Sequence, residues 1–96
     1  MAKGYWIAFY RSVSDEAALS RYARAAGTAI EAEGGTILAR GKPATTYEAG
    51  LAQRVAVVEF ENIAAAIAAY QSPRYQEVLK LLEGAAERDI RFMEGV

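Results

Sequence analysis

The chain has 96 residues, 53% of them hydrophobic, with 11 Lys and Arg against 12 Asp and Glu and a net charge of -1. That length suits a single domain over residues 1–96 with one modest core, and the balanced charge offers no electrostatic footprint for nucleic acid or anionic lipid. Neither cysteine nor histidine occurs, which excludes disulfides, thiolate chemistry and zinc–cysteine sites and removes the commonest general base and metal ligand.

Tyr5 to Tyr10 is an unbroken aromatic and aliphatic run. It is too short for a signal-peptide core or a membrane span, so the default expectation is a cytoplasmic protein. Its composition predicts a strand near 4–12 with both faces covered. Ser14 or Asp15 can cap a following helix near 15–33, in which Leu19, Tyr22, Ala23, Ala26 and Ile30 form one apolar stripe. Gly34-Gly35 ends that helix, and one of the two glycines is expected to take a positive φ.

A second strand is predicted near 35–40. The stretch Gly41 to Ala52 is rich in glycine, proline and small residues and reads as a loop, within which Ala44 to Glu48 could form a short strand. Val55, Val57 and Val58 place a third strand near 53–61. Asn62 is a good cap for a helix near 62–71. Ser72-Pro73 starts another near 73–86, because serine caps well and proline suits the first helical position. Asp89 to Glu94 alternates polar and apolar and predicts a final strand near 88–94.

The order strand, helix, strand, strand, helix pair, strand predicts an α+β, ferredoxin-like βαββαβ fold: a four-stranded antiparallel sheet with its helices on one face. Both alternations of the first strand, Tyr5, Ile7, Phe9 and Trp6, Ala8, Tyr10, are apolar. The face left bare by the helices therefore needs a cover, and a second copy of the chain is the expected one.

Gly4-Tyr5-Trp6-Ile7, Gly34-Gly35, Arg40-Gly41, Val58-Glu59-Phe60, Tyr70-x-Ser72-Pro73-x-Tyr75 and the ending Glu94-Gly95-Val96 follow one another along essentially the whole chain. In this order and spacing they closely resemble the domain-of-unknown-function 1330 family. The resemblance implies a dimeric α+β barrel, in which two ferredoxin-like sheets pack face to face. That superfamily includes cofactor-free monooxygenases, decarboxylases, isomerases and haem-degrading proteins, and the family itself brings no assigned reaction. Where relatives often carry Arg-Gly-Gly, this chain has Arg40-Gly41-Lys42.

Five residues stand out as candidates for a site. Glu59 lies in a valine-rich strand, where burial would raise its pKa towards a useful acid or base. Arg40 ends the neighbouring strand. With paired residues summing to 95, Arg40 faces Val55 and Glu59 faces Thr36, which puts both charges on one sheet face but apart along the strands. These two are the candidates for catalysis. Tyr22, Tyr70 and Tyr75, with Arg40 and Glu59, are the candidates for ligand binding, since tyrosine joins an apolar body to a polar tip. Each of the three also fits a purely structural stripe on its helix.

The acidic residues do not cluster at metal-ligand spacing, and no phosphate-binding glycine loop is present. No metal and no cofactor are expected. Lys3 to Tyr10 matches the RNA-recognition octapeptide only at Lys3, Gly4, Tyr5 and Tyr10, and on the wrong strand, so RNA is not an expected partner. Two readings remain: a small-molecule site in a cofactor-free dimeric barrel, or a non-catalytic dimeric binding or interaction module.

Overall fold

The computed structural model describes residues 2–96. Its elements run β1 (Gly4–Val13), α1 (Glu16–Ala32), β2 (Thr36–Gly41), β3 (Val55–Phe60), α2 (Ile63–Gln71), α3 (Pro73–Leu79), a 3-10 turn (Lys80–Leu82) and β4 (Ala86–Glu94). The strands form one sheet in the order β2-β3-β1-β4, and every neighbouring pair is antiparallel. This is the ferredoxin-like βαββαβ arrangement.

Local chemistry sets the helix starts. The Asp15 side chain accepts a hydrogen bond from the Ala18 amide, Asn62 accepts from Ala65, and Ser72 accepts from Tyr75. Each cap satisfies one amide that the first helical turn leaves without a partner. The Ala44 to Glu48 stretch forms no strand and stays within the loop between β2 and β3. The last helix is shorter than its sequence pattern predicts. Gly84 takes a φ of +73°, which turns the chain early, and β4 begins at Ala86.

Alternation divides the sheet. Trp6, Ala8 and Tyr10 of β1 pair across with Val58 and Ala56 of β3 and with Phe92, Ile90 and Arg88 of β4. These residues face the helices and meet Leu19, Tyr22, Ala26, Ile30, Ala66 and Tyr75 in one core. The opposite parity, Tyr5, Ile7 and Phe9 with Glu59, Val57 and Val55, forms the other face, which no helix covers.

The turn after α1 divides its work between two glycines. Gly34 has a φ of +93° and open space around it. At Gly35 a Cβ would lie 2.6 Å from Ile30 Cγ2 and 2.7 Å from the Phe60 ring. The first glycine is there for its backbone and the second for close packing. Gly34→Val is expected to cost on the order of 1 kcal/mol or more, from the disfavoured φ. Gly35→Val is expected to cost about 1–3 kcal/mol by overpacking the core. Calorimetric melting should rank wild type above Gly34→Val and Gly34→Val above Gly35→Val. Parental melting of both variants would refute this account of the turn.

Candidate functional site

A cavity of about 40 Å³ lies between α1 and the helix-covered sheet face. Its origin is a local shortage of side-chain volume. Ala8 and Ala56 face it from the sheet, and Ala23, Ala26 and Gly27 face it from the helix. Small residues stacked on small residues leave a gap that close packing would otherwise fill. Trp6, Ile30, Ile37 and Val58 complete its apolar wall.

The polar part of the wall comes from Tyr10, Tyr22 and three arginines, Arg40, Arg54 and Arg88. Arg11, Arg74 and Arg91 are paired with carboxylates elsewhere. Among the described residues no salt bridge neutralises Arg40, Arg54 or Arg88. Arg40 reaches back over α1, where a Cβ added to Gly27 would lie 3.3 Å from its Nη1. The lining includes no Asp or Glu.

Arg88 anchors a buried network. Its Nη1 donates to the Tyr22 hydroxyl and its Nη2 to the Tyr75 hydroxyl, each at 3.2 Å. The two hydroxyls are 2.6 Å apart and share a hydrogen bond. The guanidinium carbon also lies 5.5 Å from the centre of the Tyr10 ring and 5.2 Å from that of Tyr22. Burial pushes the pKa values of Tyr10, Tyr22 and Tyr75 above the ordinary phenol value, and the nearness of Tyr75 adds to the rise at Tyr22. Burial works against the Arg88 charge, but the tyrosine oxygens outweigh it and the net shift is upward. The site thus holds fixed cations and neutral phenols. It can bind and stabilise negative charge, and its lining offers no carboxylate or imidazole to take a proton.

The structure separates the candidates read from the sequence. Arg40 and Tyr22 line the cavity. Tyr75 stands behind Tyr22 in the network. Tyr70 lies outside the cavity, in an aromatic cluster with ring centres 5.4 Å from Trp6 and 5.8 Å from Phe92. Glu59 lies on the uncovered face, where its Oε2 accepts a hydrogen bond from Tyr5 at 3.0 Å. That bond leads the causes that raise the Tyr5 pKa.

The shared-face expectation for Arg40 and Glu59 is corrected by the register. Thr36 faces Glu59 as expected, but the pairing shifts between Ile37 and Ala39, so Arg40 faces Ala56 instead of Val55. Leu38 is the extra residue of a β-bulge. It reverses the parity of all that follows and turns Arg40 to the helix side. Sequence reasoning also missed Arg54 and Arg88 as site residues. Arg88 shares parity with Ile90 and Phe92, which is the signal that could have found it.

The uncovered face carries several exposed apolar side chains. Phe9 and Met93 there are 37% and 56% exposed, and Leu38 on the bulge is 52% exposed. At one end Arg91 holds Asp89 through two hydrogen bonds of 3.2 and 2.8 Å, with Arg11 3.5 Å from the same carboxylate. These contacts, the Arg91 hydrogen bond first, lower the Asp89 pKa. No cluster of three or more acidic side chains that could hold a metal ion occurs among the described residues. Nor, among those residues, is any helix long and apolar enough to cross a membrane.

An antiparallel sheet with helices on one side and a cavity beneath the first of them defines an α+β protein of the ferredoxin-like class. Within that class the chain belongs to the domain-of-unknown-function family DUF1330, whose profile matches residues 3–96. No curated protein matches it. Among solved structures it is similar to a protein of unknown function from Rhodopseudomonas palustris, at 17% identity and a TM-score of 0.73, covering 99% of this chain and 83% of that one. It is also similar to a dimeric ferredoxin-like protein of unknown function from Thermobifida fusca, at 15% identity and a TM-score of 0.70, covering 99% and 92%. A third is a protein from Nitrosomonas europaea provisionally named an antibiotic biosynthesis monooxygenase, at 13% identity and a TM-score of 0.66, covering 98% and 90%. At these identities the likeness concerns the fold alone.

Proposed function

We propose that this protein is a homodimeric small-molecule-binding protein, with one site per chain in the cavity beneath α1. The observation that carries the reading is the cavity's composition: an apolar wall into which three arginines without carboxylate partners are turned. Arg54 and Arg88 are half-buried and Arg40 is exposed at the rim, and guanidiniums gathered beside an apolar wall with no carboxylate among them leave N–H groups free for an anionic ligand. Arg40 and Tyr22 contact the ligand in this reading, with Tyr75 supporting Tyr22. The uncovered sheet face joins the two copies, as the dimeric relative from Thermobifida fusca encourages. Since the lining provides no proton acceptor of the usual kind, any turnover would draw on the reactivity of the ligand itself.

The competing reading is a non-catalytic interaction module whose exposed sheet face receives another protein. The exposure of Phe9 and Met93 favours it, but it leaves the arginines in the cavity without a purpose. Trp6 is the only tryptophan and lines the cavity, so its emission reports on occupancy. A panel of small acids, amides, amines and alcohols of up to about six heavy atoms should include a member that shifts this emission saturably. Filling the cavity with Ala23→Leu should abolish the response. If no member of the panel moves the emission, the small-molecule reading is overturned.

A further inference from the structure

The geometry points to a small carboxylate with a short apolar tail as the ligand class of the cavity beneath α1, its head held by Tyr22, Arg40, Arg54 and Arg88. This inference rests on the small-molecule reading and narrows it. Three observations converge on it: hydrogen-bond polarity, charge and volume.

Polarity comes from counting hydroxyl protons. Tyr22 and Tyr75 have two between them, and the bond linking their oxygens uses one. Arg88 donates to both oxygens and accepts from neither. The second proton therefore needs an acceptor. Tyr75 has 0% exposure, lines no part of the cavity, and shows no acceptor for its hydroxyl other than Tyr22. A proton left on Tyr75 without an acceptor would cost about 1–3 kcal/mol. The cheaper arrangement has Tyr75 donate to Tyr22, which turns the Tyr22 O–H into the cavity. With the arginine N–H groups, the side chains at that wall then present donors. The matching group on a ligand is an acceptor without protons of its own.

Charge agrees. Three guanidiniums and no carboxylate line the space, and a carboxylate takes two parallel N–H bonds from a single guanidinium. Volume sets the scale. A water needs roughly 10–15 Å³ measured in this way, so 40 Å³ holds a group about the size of three waters. Nucleotides and polyphosphates are too large. Ala8, Ala26, Ile30 and Val58 offer nothing to a second polar end, so the remainder of the ligand is apolar.

The test uses the intact protein at constant ionic strength, with Trp6 emission and thermal melting as readouts. The probes are propionate, its neutral isostere propionamide, propylammonium and inorganic phosphate. Propionate is expected to bind about ten-fold or more tighter than propionamide, the factor that one charge-assisted hydrogen-bond pair supplies. Arg40→Gln and Arg54→Gln should each weaken propionate by about ten-fold and propionamide by clearly less, since the amide loses a neutral acceptor's bond and not a charge-assisted one. If the amide or the amine binds as well as propionate, the carboxylate class is overturned while the small-molecule reading stands. If phosphate binds as well, the apolar tail is overturned. If none of the probes binds while another member of the wider panel does, the ligand class alone is overturned. If nothing binds at all, both readings go together.

Discussion

Phe9→Asp is expected to convert a dimer into a folded monomer, whereas Trp6→Glu, three residues earlier on the same strand, is expected to abolish the fold. The two side chains point to opposite faces of the sheet. Phe9 lies on the uncovered face, opposite Val55 on β3 and Asp89 on β4, and is 37% exposed in the single chain. Covering one such side chain is worth about 1.5–3 kcal/mol, and Ile7, Val57 and Met93 share the same patch. Two copies can cover one another about a two-fold axis, with an obligate interface above roughly 2,000 Å² in total. An aspartate in place of Phe9 forfeits that cover in both copies, and the Arg91 guanidinium over the Phe9 ring, 5.4 Å from its centre, is already held by Asp89 through two hydrogen bonds.

Trp6 is 2% exposed and packs on four aromatic rings, Phe60, Tyr70, Tyr75 and Phe92. A glutamate there buries a charge and empties a large volume in the core at once, and truncating a core aromatic alone costs about 3–5 kcal/mol. Sedimentation at micromolar concentration with far-UV circular dichroism separates the two outcomes. A wild-type chain that stays a stable monomer of 10.4 kDa would end the dimer proposal.

Stability should fall steeply in alkali, beginning near the ordinary phenol pKa of 10.0. Tyr10, Tyr22 and Tyr75 all have folded pKa values above that figure, chiefly through burial. The unfolded chain releases their protons from about pH 10 upward while the folded chain keeps them. The unfolded state then binds fewer protons, and stability declines as pH rises. Their full contribution is present below pH 10.0 and is lost as the pH climbs towards the folded values. Each such tyrosine gives a slope of about 1.4 kcal/mol per pH unit within its window.

Tyrosinate absorbance followed beside circular dichroism tests this. These three of the six tyrosines should ionise only as the fold is lost, and Tyr22→Phe should make the alkaline decline shallower. Ionisation of all six with the circular dichroism unchanged would contradict the buried network.

The parts of the fold legible in the sequence are those set by neighbours along the chain. Asp15, Asn62 and Ser72 cap helices because a short polar side chain reaches an amide three residues on. Gly34 turns because only glycine adopts its φ without cost. The parity of β1 followed from its apolar residues, although which parity faced the helices did not. The site was less legible because it depends on distant coincidences. Alanines are visible as low volume, but not that Ala8, Ala56, Ala23 and Ala26 stack on one another. Arg54 and Arg88 come from opposite sides of β1 and meet only through the sheet order. The Leu38 bulge has no signature in the hydrophobic pattern, and it alone decides which face Arg40 serves.

That bulge makes the inheritance of this site a matter of counting. β2 is an edge strand, free on one side to absorb an extra residue. Losing one codon at Leu38 would remove the bulge yet leave Ala39 opposite Val57 and Arg40 opposite Ala56, so the guanidinium would stay on the cavity side. Among descendants of such a chain, β2 arms with and without the extra residue would share a charged interior, whereas an arm of full length that paired without the bulge would carry that charge outside.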